Sequence, residues 1–489
     1  MSERKSAMPI SAAEAAALVK SGDWLDYGFG LAQPDVFDRA LGDRAGDLEG
    51  VSIRSSITLR PRAVLERDPD GRAFNWFNWH FSAYDRKQYD LGRCGYIPMN
   101  FGEAPAFYRR FLPAVDLACV KVTPPDANGN FNLGCSLTYL REMLSRARTV
   151  VVEVCPATPR VVGPENLLSA TEIDFVIEGD SAPLPELLPS QPGEMERVIA
   201  ERIATEIEDG ACLQIGIGGM PNAVCSLLRD ANLKDLGIHT EMMVDGIADL
   251  IEAGIVTNRR KATYPGRSVY SFALGSERLY RLLHDNPDFL SLSVDLTNMP
   301  DQIARNEKVV SVNNTAEIDL QGQAASESVG ARHVSGTGGQ LQFVRGAYAS
   351  ESGKSFLCLS STYEKYGQRK SRIVATLAPN TIVTTPRTDV MYVVTEYGIA
   401  NLKGRSVAER AFAMIGLAHP DFREDLERDA YALNLIPKGY RGVTLTSTVP
   451  NSQSALDGGI GRASFASKTM PLENRPAADA KIWAPPTTG

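Results

Sequence analysis

The fold is decided by Gly210-Ala-Cys-Leu-Gln-Ile-Gly-Ile-Gly-Gly-Met-Pro-Asn222, a short apolar run that ends in glycines. The apolar residues predict a buried strand, the glycines a tight turn, and Pro221 the first turn of a helix. Such a helix presents free N–H groups and a positive dipole end to an anion. The turn therefore predicts contact with a phosphate-bearing ligand, although packing of the strand against the helix is an alternative reason for the glycines. A dinucleotide site is disfavoured, because Pro221 stands where the third glycine of G-x-G-x-x-G belongs.

A similar pattern opens the first half of the chain, in Gly22-Asp-Trp-Leu-Asp-Tyr-Gly-Phe-Gly30. Its three glycines and its leucine match residues of the second stretch at a constant offset of 188 positions, and each stretch follows a helix-like segment. Alternating helices and apolar strands are typical of α/β layers around mainly parallel sheets. The repeat therefore predicts an α/β protein that contains two related domains.

The domain limits follow from length and from one proline-rich segment. A chain of 489 residues is too long for one ordinary core, and residues 180–193 carry four prolines, which is typical of an extended linker. We therefore predict an N-terminal domain at residues 1–185 and a C-terminal domain at 186–450. Residues 451–489 are predicted to be an extension that wraps the surface or is partly mobile.

The composition excludes several classes of function. The chain is 43% hydrophobic and 22% charged, and its net charge of −8 without a basic tract argues against a nucleic-acid partner. The N-terminus lacks an apolar signal region and no run approaches membrane-spanning length, so we expect a cytoplasmic protein without a membrane partner. The seven cysteines form no C-x-x-C pair and the five histidines show no ligand spacing, so no metal site is predicted.

A lone carboxylate follows the second turn, at Glu241 in His239-Thr-Glu-Met-Met-Val-Asp-Gly246. An ionised carboxylate needs no partner base to act as a nucleophile, and a thioester is a suitable target because thiolate leaves readily. Attack gives a mixed anhydride on Glu241 and a free thiolate. The thiolate can return to the glutamyl carbonyl and leave an enzyme-bound thioester. The structural alternative is a surface or capping glutamate.

Blocks along nearly the whole chain resemble the acetyl-CoA hydrolase/transferase family, and within it the butyryl-CoA:acetate and 4-hydroxybutyrate CoA-transferases. The blocks of the second half are Gly216-Ile-Gly-Gly-Met-Pro221, His239-Thr-Glu-Met-Met-Val-Asp-Gly246, Val312-Asn-Asn-Thr-Ala-Glu-Ile-Asp-Leu-Gln-Gly322, Ser335-Gly-Thr-Gly-Gly-Gln-Leu-Gln-Phe343 and Thr395-Glu-Tyr-Gly-Ile-Ala-Asn-Leu-Lys-Gly404. Those of the first half are Trp24-Leu-Asp-Tyr-Gly-Phe-Gly30, Trp79-His-Phe-Ser82 with Asp85-Arg-Lys87, and Asp126-Ala-Asn-Gly-Asn-Phe-Asn132.

The resemblance implies roles for the residues at matching positions. Glu241 falls where the family keeps the glutamate that forms the glutamyl-CoA thioester, and Asn313 falls where related enzymes place an amide near that thioester. Loops that contact CoA or the acyl oxygen are implied at Gly216, Ile217, Gly218, Gly219, Met220, Gly338, Gly339 and Gly353. The family fold implies two open α/β domains with the active site at their interface, and a homodimer or higher homo-oligomer.

The acyl and carboxylate pocket is the least defined part of the predicted site. Tyr27, Phe29 and Gln33 belong to the first glycine turn, and we predict that they face the carboxylic acid across the domain interface. His80, between two aromatic residues, is either a pocket residue or a packed structural histidine.

Two positions depart from the family pattern. Gln342 stands where an acidic residue is expected, and Val244 stands where a small polar residue is frequent. Both lie near the predicted site in the sequence, so they bear on acyl specificity more than on reaction type.

Three functions are compatible with these residues. They are a CoA-transferase that moves CoA between a short-chain acyl-CoA and an acid such as acetate, an acyl-CoA hydrolase that uses the same glutamate, and a non-catalytic CoA-binding module. The motif around Glu241 favours an enzyme, and the resemblance favours a transferase with ping-pong kinetics. CoA enters as part of the substrate, so no separate cofactor is predicted. The acid stays open, because a pocket discriminates one methylene by only about 1 to 3 kcal/mol.

Overall fold

Two open β-sheets form the framework of residues 7–440, the part of the chain that the computed structural model describes. The first sheet has eight strands, and all of its neighbouring strands pair in parallel. In order across the sheet, the strands are Met8–Pro9, Phe175–Glu178, Ala147–Val154, Val115–Val122, Trp24–Phe29, Val51–Ser56, Phe74–Asn78 and Cys94–Tyr96. The predicted extension at residues 451–489 lies outside the described residues.

The second sheet has six strands and is also mainly parallel. In order across the sheet, the strands are Gly237–Ile238, Cys212–Ile215, Val309–Asn314, Lys354–Cys358, Tyr392–Thr395 and Gly398–Asn401. The strand at the far edge, Gly398–Asn401, pairs antiparallel with its neighbour. Parallel strands need crossover connections, and here helices supply many of them.

The helices and the short strands complete the described elements. The α-helices are Ala12–Ala17, Val36–Gly42, Ala63–Glu66, Ala83–Asp90, Ala104–Arg110, Leu140–Arg146, Glu194–Ala204, Gly219–Asp230, Asp245–Glu252, Glu277–Leu283, Val294–Asn298, Pro300–Ile303, Gln340–Ala349, Val407–Leu417 and Pro420–Ala432. The 3₁₀ turns are Gly30–Ala32, Phe101–Glu103 and Ala170–Glu172. The short paired strands are Phe131–Asn132, Leu167–Leu168, Met242–Met243, Ser268–Tyr270, Phe272–Ala273, Phe289–Ser291, Glu317–Asp319, Ala324–Ala325, Ser328–Val329, Arg332–His333, Thr362–Lys365, Gln368–Ser371 and Ile373–Val374.

The sequence repeat corresponds to equivalent strands of the two sheets. The strands Trp24–Phe29 and Cys212–Ile215 begin 188 residues apart, and each lies in the interior of its sheet. Gly22 and Gly210, which precede them, both adopt a left-handed backbone, with φ of +83° and +76°. A side chain is strained at such a φ, which explains a glycine at both positions. The predicted α/β fold with two related open sheets is confirmed.

The predicted linker between the domains contains neither helix nor strand over residues 179–193. All described residues nevertheless belong to one contact unit. The exact limits of the two domains therefore stay a prediction.

An aromatic contact joins the two halves of the chain. The rings of Phe29 and Phe272 lie 4.6 Å apart between centroids, and the ring of Phe101 stacks on Phe29 at 5.2 Å. The Phe101 N–H donates to the Gly338 carbonyl at 3.0 Å. We term this region, formed by Phe29, Phe101, Phe272 and Gly338, the seam.

The cysteines are core residues. All seven are buried and unpaired. Burial raises the thiol pKa of Cys212 to about 11 and that of Cys225 to about 12, so these thiols stay protonated near neutral pH. Within residues 7–440, no helix has the length and apolar character needed to cross a membrane.

Candidate active site

The backbone around Glu241 is fixed by short strands of the second half. The Glu241 carbonyl accepts the N–H groups of Ser271 at 3.0 Å and Phe272 at 3.1 Å. Two residues earlier, His239 Nε2 donates to the Thr297 carbonyl at 2.8 Å. Burial lowers the pKa of His239 to about 3, so its ring is neutral. Glu241 therefore projects from a rigid segment that packs against the seam through Phe272.

The carboxylate of Glu241 is held by two donors. Asn298 Nδ2 donates a short hydrogen bond to Oε2, and the Gly339 N–H donates to the carboxylate as well. A Cβ at Gly339 would lie 2.2 Å from Glu241 Oε2 and 2.4 Å from Asn298 Nδ2. Only glycine therefore allows the loop to approach this closely.

The electrostatics of the site leave Glu241 poised between its two protonation states. Burial raises the pKa of Glu241 to about 7, and the hydrogen bonds from Asn298 and Gly339 oppose this rise. Among the causes of the shift there is no ion pair with a residue of the described chain. A partly buried carboxylate with a raised pKa in a domain interface is typical of a functional site.

The seam places the loop of Gly338 and Gly339 against Glu241. Gly338 has φ of +56°, pairs with Asn100 of the first half, and accepts a hydrogen bond from Phe101. The structure therefore brings together three predicted site residues, Glu241, Gly338 and Gly339. Their contact with CoA stays a prediction.

The second glycine turn opens onto a cavity. Gly218 has φ of +119°, and the Ile217 side chain beside it is 50% exposed. Next to Met220 lies a cavity of about 190 Å³ at the carboxyl edge of the second sheet. Its lining residues are Glu196, Ile199, Met220, Asn314, Thr315, Cys358, Leu359, Ser360 and Arg372.

Arg372 is the cation among the described residues that line this cavity. One of its amino groups, Nη1, donates to the Ala316 carbonyl at 3.0 Å, and the guanidinium lies 4.9 Å over the Tyr363 ring. Its buried Nε has no hydrogen-bond partner within residues 7–440. Burial lowers the pKa of Arg372 from its ordinary value, and an anion would compensate that cost.

The helix N-terminus at this turn faces a carboxylate of the protein. A Cβ at Gly219 would lie 2.4 Å from Glu196 Oε2, so the Glu196 carboxylate packs directly on the start of helix Gly219–Asp230. This arrangement disfavours the predicted phosphate contact at the helix N-terminus, because two anions would share it. Arg372, which the sequence gives no reason to select, is the better placed group for an anion.

The amide that contacts Glu241 in this structure belongs to Asn298, whereas the predicted amide of Asn313 has other partners. The Asn313 side chain forms hydrogen bonds with Gln214 at 3.1 and 3.3 Å and with Ser311 at 2.9 Å. It therefore lies under the second glycine turn, and a role near the thioester stays a prediction. Asn298 ends a five-residue helix, Val294–Asn298, that matches none of the sequence blocks.

Gly353 lies at the end of the second sheet opposite the cavity, and its contact with CoA or the acyl oxygen stays a prediction. It immediately precedes strand Lys354–Cys358, whose carboxyl end borders the cavity. Five strand residues separate the two ends by roughly 16 Å. A Cβ at Gly353 would lie 2.0 Å from the Ala347 carbonyl oxygen, which explains the glycine by tight packing.

The structure divides the four predicted pocket residues. Tyr27 is fully buried in the first half, edge-on to Phe37 and Trp76, and its contact with the acid stays a prediction. Gln33 is buried, and its Nε2 donates to Ser55 Oγ at 2.6 Å and to the Ser56 carbonyl at 2.8 Å, so its contact with the acid also stays a prediction. Phe29 lies in the seam and His80 lies against the loop of Gly338. Their contact with an acyl group stays a prediction.

Gln342, one of the two departures from the family pattern, lies beside Asn298 and Gly102. Its Oε1 accepts the Gly102 N–H at 2.8 Å, and its Nε2 lies 3.4 Å from Met299 Sδ. A Cβ at Gly102 would meet both Gln342 and Asn298 within 3 Å. Gln342 therefore packs the two halves together below Asn298.

The fold and the site together define a class of protein. Its members are α/β proteins with two open sheets and, where the two halves meet, a hydrogen-bonded carboxylate whose pKa is raised. Among residues 7–440, no group of three or more His, Cys, Asp or Glu residues is arranged to hold a metal ion.

Comparison with known proteins identifies the family. The chain matches the acetyl-CoA hydrolase/transferase N-terminal domain over residues 3–187 and the C-terminal domain over residues 275–430. It is 43% identical to the butyryl-CoA:acetate CoA-transferase of Anaerostipes caccae, over 86% of this chain and 95% of that protein. The chain therefore belongs to the acetyl-CoA hydrolase/transferase family, as its sequence blocks predict.

Solved structures agree in fold. The crystal structure of RipA from Yersinia pestis shares 38% identity, has a TM-score of 0.81, and is matched over 88% of this chain and 98% of that chain. The structure of 4-hydroxybutyrate CoA-transferase from Porphyromonas gingivalis shares 33% identity with a TM-score of 0.72, over 87% of this chain and 98% of that chain.

Proposed function

We propose that this protein is an acyl-CoA:carboxylate CoA-transferase that moves CoA between a short-chain acyl-CoA and a carboxylic acid such as acetate. The observation that carries the proposal is the Glu241 carboxylate, held by Asn298 and Gly339 at the junction of the two halves. The butyryl-CoA:acetate CoA-transferase to which the chain is 43% identical supports this substrate class.

The reaction begins with Glu241 as the nucleophile. Because Asn298 holds Oε2, the other oxygen, Oε1, attacks the thioester carbonyl carbon. The tetrahedral intermediate expels CoA thiolate and leaves an anhydride between the acyl group and Glu241. Thiolate then attacks the glutamyl carbonyl carbon, the acid leaves as carboxylate, and the glutamyl-CoA thioester remains. A second carboxylate reverses these steps and departs as the new acyl-CoA.

Asn298 gains importance in the second step. When thiolate attacks the glutamyl carbonyl, negative charge develops on Oε2, the atom that already accepts the Asn298 hydrogen bond. A preorganised donor to such an oxyanion contributes about 3 to 4 kcal/mol. Asn298 therefore both orients the resting carboxylate and stabilises the intermediate.

CoA itself is assigned to the second glycine turn and the adjoining cavity. The turn is exposed at Ile217, and the cavity beside Met220 supplies Arg372 Nε, which has no hydrogen-bond partner among the described residues. A guanidinium suits a phosphate group of CoA, since it donates in a planar fork. The uncharged part of CoA would then pass the turn, where the Glu196 carboxylate disfavours an anion.

The test is to trap the glutamyl thioester. We expect butyryl-CoA without an acceptor acid to load the protein with CoA, and borohydride to convert Glu241 to the alcohol, which peptide mass spectrometry detects. Glu241→Ala should abolish both trapping and transfer, with Glu277→Ala as an exposed control, its side chain being 71% exposed. Full activity in Glu241→Ala would refute the mechanism.

The same preparation separates transferase from hydrolase. We expect loss of butyryl-CoA to require an acid, measured with acetate, propionate, butyrate or succinate in turn. Loss at the same rate without any acid would assign the protein as an acyl-CoA hydrolase instead. The acid that gives the highest kcat/KM identifies the natural acceptor class.

A further inference from the structure

His80 is anchored within the first half of the chain. Its N–H donates to Asn78 Oδ1 at 2.8 Å, and its carbonyl accepts the Ile57 N–H at 3.0 Å. Asn78 ends a strand of the first sheet, and Trp79, next to His80, is buried against Tyr108 and Tyr139. The backbone of His80 is therefore tied by hydrogen bonds to the end of the first sheet.

The His80 ring is enclosed by a loop of the second half, residues 335–339. His80 Nε2 is hydrogen-bonded to Ser335 Oγ at 3.2 Å. A Cβ at Gly336 would lie 3.0 Å from His80 Nδ1 and 2.2 Å from the Trp79 carbonyl oxygen. A Cβ at Gly338 would lie 3.2 Å from His80 Cε1. The loop therefore follows the outline of the ring along three of its residues.

The far end of this loop is the Gly339 N–H that donates to Glu241. Between the two ends, Gly338 is pinned by the Phe101 hydrogen bond at the seam. The position of the Gly339 donor thus depends on contacts with the first half through Phe101, through His80 and through Tyr96, whose hydroxyl accepts the Thr337 N–H at 3.3 Å.

We propose that His80 is a positioning residue, which fixes the loop of residues 335–339 so that the Gly339 N–H stays on the Glu241 carboxylate. This inference rests on the proposed function of Glu241. It assigns His80 to the catalytic machinery through the loop and not as a lining residue of the acyl pocket.

His80 performs this role as a neutral ring. Burial, together with the charges of the neighbouring His333 and Arg86, lowers the pKa of His80 to about 4. Between pH 5 and 9 the ring therefore keeps one protonation state. Any change in the pH profile of a His80 variant over that range reports another group.

Two carboxyl groups with a raised pKa lie against the loop, Glu241 at Gly339 and Glu327, which accepts the Thr337 hydroxyl at 2.7 Å. We assign the acid limb of kcat to Glu241, because it is the proposed nucleophile. The Gly339 hydrogen bond opposes the rise of the Glu241 pKa that burial causes. When the loop loses its support at His80, the donor withdraws and the pKa of Glu241 rises further. The acid limb of the kcat profile then moves to higher pH, whereas a general loss of packing would lower activity at all pH values alike.

The experiment compares His80→Leu, His80→Gln and Ser335→Ala with the wild-type chain. We expect His80→Leu to lower kcat by about tenfold or more, to leave the KM for butyryl-CoA within about twofold, and to shift the acid limb to higher pH. Ser335→Ala should shift the limb in the same direction, and His80→Gln, which keeps a hydrogen-bonding group, should restore much of kcat. His284→Gln, at an exposed histidine, is the control and should match wild type.

Two results would overturn the inference. One is an acid limb of folded His80→Leu that coincides with that of wild type. The other is an effect on KM alone. If His80→Leu does not fold, as its melting curve would show, Ser335→Ala decides the question on the same criteria. Wild-type protein without a trapped thioester at Glu241 would instead refute the proposed function, so the two failures are distinguishable.

Discussion

The glycine turn of the first half is filled by its own protein, whereas the turn of the second half faces a cavity. Residues 25–35 are all buried, and a Cβ at Gly28 would lie 2.8 Å from Leu140 Cδ2. In the second turn, Ile217 is 50% exposed, and a Cβ at Gly216 would approach no atom closer than 3.4 Å. Two related strand and turn units have therefore diverged, and only the second leaves its edge open to a ligand.

Two carboxylates of the two halves, Asp35 beside the first turn and Glu241 of the second half, also differ in their surroundings. Burial would raise the pKa of Asp35, but Arg62 and Lys121 hold it below its ordinary value. Arg62 lies 3.0 Å from Asp35, and Lys121 and Arg60 form still shorter ion pairs with it. Glu241 has hydrogen-bond donors but no such cation in the described chain, and its pKa rises to about 7. A buried carboxylate that is paired with cations, such as Asp35, stays ionised and stabilises the fold. A buried carboxylate without such cations, such as Glu241, has a raised pKa, which is typical of a functional group.

The largest effect should come from Glu241→Gln. We expect transfer activity to fall by more than about 10³-fold, because the variant keeps the shape but lacks the nucleophile. The same substitution should raise the free energy of unfolding relative to wild type at alkaline pH, although it lowers activity. The folded-state pKa of Glu241 is raised from 4.5 to about 7, so its favourable contribution is present below pH 4.5 and is lost as pH rises through 7.

At pH 8 the ionised wild-type side chain therefore destabilises the fold by up to about 3 kcal/mol relative to a neutral one. Urea unfolding at pH 5 and pH 8 measures this difference. A Glu241→Gln chain that is less stable than wild type at pH 8 would contradict the environment assigned to Glu241.

Asp35→Asn should produce the reverse pattern. We expect a loss of about 3 to 5 kcal/mol in unfolding free energy, since Arg62 and Lys121 remain buried without their carboxylate. Because the pKa of Asp35 is lowered, this stability is present above the ordinary aspartate pKa and is lost as pH falls below it. Asp43→Asn, at an exposed pair with Arg67, is the matched control and should cost under about 1 kcal/mol. If Asp35→Asn were as stable as wild type, Asp35 would not stabilise the fold, and the proposed difference between Asp35 and Glu241 would be wrong.

Much of the fold was predictable from the sequence, because glycines and apolar runs determine the backbone conformation of the segments in which they lie. A left-handed φ before each repeated strand requires glycine at Gly22 and Gly210, so the repeat was visible in the sequence. Tyr27 shows where local reasoning fails. It lies two residues from Phe29 in one strand, yet the two side chains belong to different hydrophobic clusters. Gly28 has φ of +70° and the strand pairing shifts there, which breaks the regular alternation.

The site was predictable only where a motif surrounds the residue. Glu241, Gly338 and Gly339 lie in sequence blocks, and the structure brings them together. Asn298 lies in no block, and it reaches Glu241 across 57 positions through the packing of a short helix. Arg372 likewise depends on a cavity formed by three separate strand ends. Contacts of this kind arise from tertiary structure, so a single sequence carries no local signal for them.

Asn298→Ala tests whether a residue outside the sequence blocks, placed at the site by tertiary packing, contributes to the reaction. We expect kcat to fall by about 10²- to 10³-fold, because the Oε2 donor is lost in the step that forms the glutamyl thioester. The acid limb of the rate profile should move to higher pH, since the same hydrogen bond lowers the pKa of Glu241. Asn313→Ala, which removes an amide bonded to Gln214 and Ser311, is the comparison. A larger loss of kcat in Asn313→Ala than in Asn298→Ala would instead support Asn313, the amide that the sequence blocks indicate, as the residue near the thioester.

The smallest effect should come from Arg372→Leu, which tests the open turn itself. We expect the KM for butyryl-CoA to rise by about tenfold, near 1.4 kcal/mol, with kcat unchanged, because a charged hydrogen bond to substrate is lost. The butyryl thioester of N-acetylcysteamine has no phosphate and should react equally well with both proteins. Arg369→Leu, at an exposed neighbour that pairs with Asp421, controls for removal of one positive charge. An equal loss for both thioesters would show that Arg372 supports the cavity wall and does not bind the phosphate, which would leave the second turn open but without an anion site.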